Sequence, residues 1–97
     1  MPSFRLSNKA VEDLIEIGKY TQEAWGVSQR NIYLKQLDDC FSNLSENPNL
    51  GFKCDYIAKG YRKFPQLSHM IYYKIAPGAV VEIIRILHKS MDADSKF

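Results

Sequence analysis

Ninety-seven residues, 45% of them apolar and 12% aromatic, make one domain with a small core and leave little room for a second. Net charge is only +2 but is unevenly placed: residues 1–52 carry five Lys/Arg against seven Asp/Glu, and residues 53–97 carry eight against four. The C-terminal half is thus the one suited to an acidic partner, whether a protein segment or a nucleic acid. No apolar run reaches membrane-spanning length, and Met1-Pro2-Ser3-Phe4-Arg5 lacks the apolar stretch of a signal peptide, so a cytoplasmic protein with no membrane partner is expected.

Phe4-Arg5-Leu6 reads as a short strand, and Ser7 is a good helix N-cap. Helical periodicity follows, with Val11, Leu14, Ile15, Gly18 and Trp25 near one face and Glu12, Asp13, Glu16, Lys19 and Glu23 on others. Gly26 ends this helix. A second helix is expected from about Ser28, burying Tyr33, Leu37, Cys40, Phe41 and Leu44, and stopping at Glu46-Asn47-Pro48 because the residue before proline disfavours helical geometry. A connection of about two or three residues makes the pair an antiparallel hairpin. Residues 48–60 read as an irregular connector. From Tyr61 the period changes, and residues 61–65, 70–75 and 80–87 are rich in the β-branched and aromatic residues of strands. Pro77-Gly78 marks a turn, and Pro65 ends its strand or confines it to an edge. Residues 89–97 form a polar tail, either a short helical turn or a frayed end. The whole is α+β, an N-terminal helical hairpin packed on a small, mainly antiparallel sheet.

Strict alternation along the last strand places Val81, Ile83, Arg85 and Leu87 on one face and Glu82, Ile84, Ile86 and His88 on the other. One face must cover the helices. The other is an apolar face with no cover in the chain, which usually marks a partner site. An Arg85 guanidinium among such neighbours requires a carboxylate or carbonyl partner.

Catalytic chemistry is hard to find in this chain. It has no P-loop, no nucleophile elbow, no His-Glu-x-x-His and no dinucleotide-binding glycine pattern. Cys40 and Cys54 have no metal-binding spacing and read as reduced thiols, so neither cofactor nor metal is expected. His88 would serve as an acid or base near neutral pH only with a second proton-transfer group and cationic stabilisers. A structural or partner role fits it better, and His69 has the same status. Arg62, Lys63, Lys74, Arg85 and Lys89 are suited either to phosphates or to an acidic protein partner. Tyr61, Phe64, Tyr72 and Tyr73 read as sheet packing before they read as a base-stacking platform.

The ordered combination of these segments resembles the ParE toxins of type II toxin–antitoxin modules, within the RelE/ParE superfamily. The residues that carry the resemblance are Ala10 through Ile17, Tyr20-Thr21, Trp25-Gly26, Leu44, Asn47-Pro48 and Gly51. Arg62, Phe64-Pro65, His69, Ile71-Tyr72-Tyr73, Glu82-Ile83, Arg85 through His88 and Met91-Asp92 continue it. The resemblance implies a non-enzymatic toxin that binds DNA gyrase and stalls its cleaved complex with DNA. It also implies neutralisation by a ParD-type ribbon-helix-helix antitoxin whose C-terminal segment wraps the toxin. No direct sequence-specific nucleic-acid binding is expected. On this reading Arg62, Tyr72, Ile83 and Arg85 meet the antitoxin, with an antitoxin carboxylate on Arg85, and His88, Lys89, Met91 and Phe97 meet the target. The RelE branch supplies the alternative, a ribosome-dependent mRNA endonuclease using Arg62, Arg85 and His88. The absence of a tyrosine after His88 speaks against it. An inactive toxin-derived module acting as co-repressor is the third reading.

Overall fold

A computed structural model describes residues 3–91 and 93–97, with only the backbone described at Asp94. The chain runs β1 (Phe4–Leu6), α1 (Asn8–Trp25), α2 (Val27–Glu46), β2 (Phe52–Lys53), β3 (Tyr61–Gln66), β4 (His69–Ala76), a 3-10 turn (Pro77–Ala79), β5 (Val80–His88) and a second 3-10 turn (Ala93–Lys96). The sheet order is β1-β5-β4-β3-β2. β1 lies parallel to β5 and the other pairs are antiparallel.

The expected α+β layout is present, with shifts at the boundaries. Ser7 caps α1, its Oγ accepting from the Ala10 amide at 3.0 Å and donating to the Ile84 carbonyl at 2.8 Å. One side chain thus closes the first turn and fastens it to β5. Gly26 alone joins the helices. Its φ of +94° is open to glycine at little cost, which allows a one-residue connection shorter than the expected loop. The connector contains a two-residue strand, β2, too short to read from sequence. Pro65 pairs with Met70 beyond the reach of β2, where β3 is locally an edge.

The buried face of α1 agrees with the expected one at Gly18 and Leu14 and differs elsewhere. Ala10, Ile17, Gly18 and Thr21 are buried, whereas Val11, Ile15 and Trp25 are exposed. The core-facing stripe therefore runs one position away from the most apolar one. On α2, Leu37, Cys40, Phe41 and Leu44 are buried and Tyr33 packs beside them. These residues close the main core against Ile71, Tyr73, Val81, Ile83 and Ile86. Tyr73 secures the connector from inside that core. Its hydroxyl donates to the Pro48 carbonyl and accepts from the Gly51 amide, both at 2.8 Å. Glycine is required at position 51 by this close approach, since a Cβ there would stand 2.5 Å from the Tyr73 hydroxyl and 2.8 Å from the Lys63 carbonyl.

A β-bulge changes the reading of β5. Tyr73 pairs with Ile83 while Tyr72 pairs with Arg85, so Ile84 is an extra residue with no partner on β4. Alternation resumes one step out of phase. Val81, Ile83 and Ile86 face the helices, and Leu87 falls in a second cluster with Cys54 and Tyr72 on the outer face.

Candidate functional site

The bulge divides the expected antitoxin-binding set. Ile83 has no exposed surface and lies in the helix-side core. It is removed from the outer face by the extra residue that follows it, which corrects its placement beside Arg85. Arg85 is engaged within the fold. Its Nε and Nη2 donate to Asp13 Oδ2 and Oδ1 at 2.9 and 3.0 Å, and its Nη1 donates to the Lys96 carbonyl at 2.9 Å. Asp13 Oδ2 also accepts from the Ile86 amide at 2.9 Å. The side chains are 16% and 14% exposed. Within the chain the carboxylate comes from Asp13 on α1, and this bidentate hydrogen bond raises the guanidinium pKa.

Arg62 is half-buried and bonds the connector backbone, donating from Nη1 to the Gly51 carbonyl at 2.8 Å. Tyr72 is buried under Phe97, the ring centroids 5.1 Å apart and edge-on. The outer face expected to be bare is therefore partly covered. Residues 93–97 lie back across it, with Ala93, Ile57, Tyr61 and Met70 packed around Cys54, Tyr72 and Leu87.

The expected target-binding set divides as well. His88 and Met91 line a groove of about 870 Å³ together with Ile17, Tyr20, Thr21, Trp25, Tyr33 and His69. Tyr20 and Trp25 are 70% and 73% exposed along its rim. Lys89 is exposed, with its amide bonded to the Ser68 carbonyl at 2.9 Å. Phe97 belongs to the outer face. Asp92 lies outside the described residues.

Within the groove, His69 and His88 pair across β4 and β5 with ring centroids 5.4 Å apart. His69 Nδ1 hydrogen-bonds the Tyr33 hydroxyl, and His88 Nδ1 meets the Ser90 hydroxyl at 2.7 Å. Burial and the neighbouring His88 push His69 down to about 4, against an opposing pull from Asp13. It is neutral at pH 7 and suited to hydrogen bonding rather than to holding charge. Among the described residues no cluster of three or more His, Cys, Asp or Glu could hold a metal ion, and no helix is long and apolar enough to cross a membrane. Cys40 and Cys54 are free and buried, and burial pushes the Cys40 thiol up to about 11.

Asp13, Tyr20 and Tyr33 were invisible as site residues in the sequence. Asp13 looked like one more solvated carboxylate, and only the demand of Arg85 for a partner pointed toward such a group.

A helical hairpin on a five-stranded sheet, with an aromatic-rimmed groove at the end of β5, defines a small α+β protein. Residues 4–93 match the family described as ParE toxin of type II toxin-antitoxin system, parDE, and the chain belongs to it. It is 38% identical over 93 residues to Toxin ParE1 of Caulobacter vibrioides, spanning 96% of this chain and 95% of that one. Identity to Toxin ParE1 of Mycobacterium tuberculosis is 36% over 91 residues, spanning 94% and 93%. The solved structure described as the chromosomal ParDE TA system from P. aeruginosa shares the fold. Its TM-score is 0.74 at 19% identity, over 91% of this chain and 96% of that one. This chain is therefore a toxin of the ParE family, and an antitoxin partner is implied by that membership.

Proposed function

We propose that the chain inhibits DNA gyrase by binding it and stalling the cleaved gyrase–DNA complex, and that a ParD-type antitoxin neutralises it. The observation that carries this reading over RNA cleavage is the state of the cationic groups. Arg62 and Arg85 are both engaged inside the fold, and the groove around His88 is lined by no Lys or Arg among the described residues. A phosphodiester-cleaving site needs such groups against the charge of its transition state. A groove walled by exposed Tyr20 and Trp25 suits a protein surface instead. His88, Lys89 and Met91 supply the target contact beside that groove.

The test is a plasmid supercoiling assay with purified gyrase and the full chain, followed by detergent and protease to release trapped breaks. Inhibition with linearised plasmid, reversed by the antitoxin, is expected. Trp25→Ala, at a side chain largely in solvent, is expected to weaken inhibition while leaving the melting temperature unchanged. A folded chain that leaves gyrase untouched but cuts mRNA in the ribosomal A site would overturn the proposal in favour of the endonuclease reading.

A further inference from the structure

The segment after β5 lies against the outer face. The Lys96 main-chain carbonyl accepts from Arg85 Nη1 at 2.9 Å. The Phe97 ring meets Tyr72 and Tyr61 edge-on, at centroid distances of 5.1 and 5.9 Å. Ala93 packs against the cluster of Cys54, Tyr72 and Leu87. The segment is a single 3-10 turn, and residues 95–97 stay exposed while they make these contacts. Short exposed segments of this kind open at far lower cost than the strands beneath them.

The surface under the tail is also held by elements other than the tail. Asp13 fixes two nitrogens of Arg85 from α1, and Nη1 is the donor left for the tail carbonyl. Tyr72 pairs with Arg85 across β4 and β5, and Tyr61 stands at the start of β3. When the tail lifts, a fixed donor and two aromatic rings remain in place beside one another. Such a surface recognises a main-chain carbonyl and an aromatic ring at adjacent positions, the pattern presented by Lys96 and Phe97.

We propose that residues 93–97 are a reversible strap. Beneath them, Arg85, Tyr61 and Tyr72 form a docking site for a partner segment that adopts the same turn and carries an aromatic side chain immediately after a main-chain carbonyl. The strap is a tethered competitor at millimolar effective concentration, so an incoming segment must outbind it. This device is independent of which protein the toxin inhibits.

The two cysteines report on it. Cys54 is fully buried in the cluster beneath the strap, and Cys40 is buried in the helix-side core. Thiol labelling of the native full chain, read by mass spectrometry of each cysteine peptide, separates local opening from global unfolding. Phe97→Ala is expected to raise Cys54 labelling by about tenfold while Cys40 is unchanged. Phe97→Leu, which keeps apolar bulk, gives an intermediate rate. Lys96→Ala, whose contact is main-chain, leaves both cysteines as they were. A synthetic peptide of residues 93–97 at millimolar concentration restores Cys54 protection in the Phe97→Ala chain, and the same peptide ending in alanine does not. Unchanged Cys54 labelling in Phe97→Ala, or a parallel rise at Cys40, overturns the strap. Failure of the phenylalanine peptide to protect overturns the docking site.

Discussion

Replacing Arg85 with alanine tests the central tie of this fold. The guanidinium makes two hydrogen bonds to Asp13 on α1 and one to the Lys96 carbonyl, at 2.9 to 3.0 Å. Asp13, 14% exposed while the pair is intact, keeps the Ile86 amide as a partner after its removal. Breaking a buried ion pair costs about 3–5 kcal/mol, whereas an exposed pair contributes about 0–1. At this degree of exposure the expected loss is about 2–3 kcal/mol, or a melting temperature lower by about 10–20 °C in a domain of this size. Urea unfolding followed by far-ultraviolet circular dichroism measures the stability directly. A double-mutant cycle with Asp13→Asn isolates the pair and should return a coupling of about 1.5–3 kcal/mol. Arg85→Lys keeps the charge but not the fork, and should lose about half as much as alanine does. A coupling below about 0.5 kcal/mol would show that the two charges are merely adjacent and would refute the reasoning.

Three further outcomes are expected. His69 is held at about 4 in the folded chain against 6.5 for a free side chain, so the unfolded chain takes up the extra proton between those values. Stability should therefore fall as pH drops from about 6.5 to 4, by about 1–2 kcal/mol once solvent contact is allowed for. In His69→Gln the slope of urea-derived stability against pH should flatten across that window. Tyr73→Phe leaves the Gly51 amide and the Pro48 carbonyl without their shared hydroxyl and should cost about 1–3 kcal/mol, with faster amide exchange at Gly51 as the local sign. Ser7→Ala removes both the N-cap and the tie to Ile84 and should cost about 1–2 kcal/mol in the same unfolding assay.

Much of the architecture was legible because it rests on local signals. Ser7, Gly26 and Pro48 punctuate the helices, and the change of period at Tyr61 announces the sheet. The face assignments were less secure. On α1 the apolar residues outnumber the buried positions, so the core stripe and the groove stripe compete, and only packing decides that Ile17 turns inward and Trp25 outward. On β5 a run of Ile83-Ile84-Arg85-Ile86-Leu87 reads equally well with or without an extra residue. The bulge at Ile84 is fixed by Ser7 and Asp13, more than 70 positions earlier, through the Ile84 carbonyl and the Ile86 amide. No window along the strand contains that information. The same long-range contact gives Arg85 an internal tie that no local window announces. The groove was partly legible, since His88 and Met91 were singled out. Its other wall, Tyr20, Trp25 and Tyr33, comes from helices whose relative placement sequence spacing does not give.

The single glycine between the helices has a mechanical consequence. Trp25 ends α1 just before it, while Gln29 and Tyr33 follow on α2, and all three line the same groove. The one-residue connection at Gly26 keeps the two helices of that wall side by side where they meet. On the proposed function, a partner entering the groove meets both helices at once. The side chains of Tyr20 and Trp25, largely in solvent, would then carry most of the ordering cost on the toxin's side, and the helical backbone beneath them little.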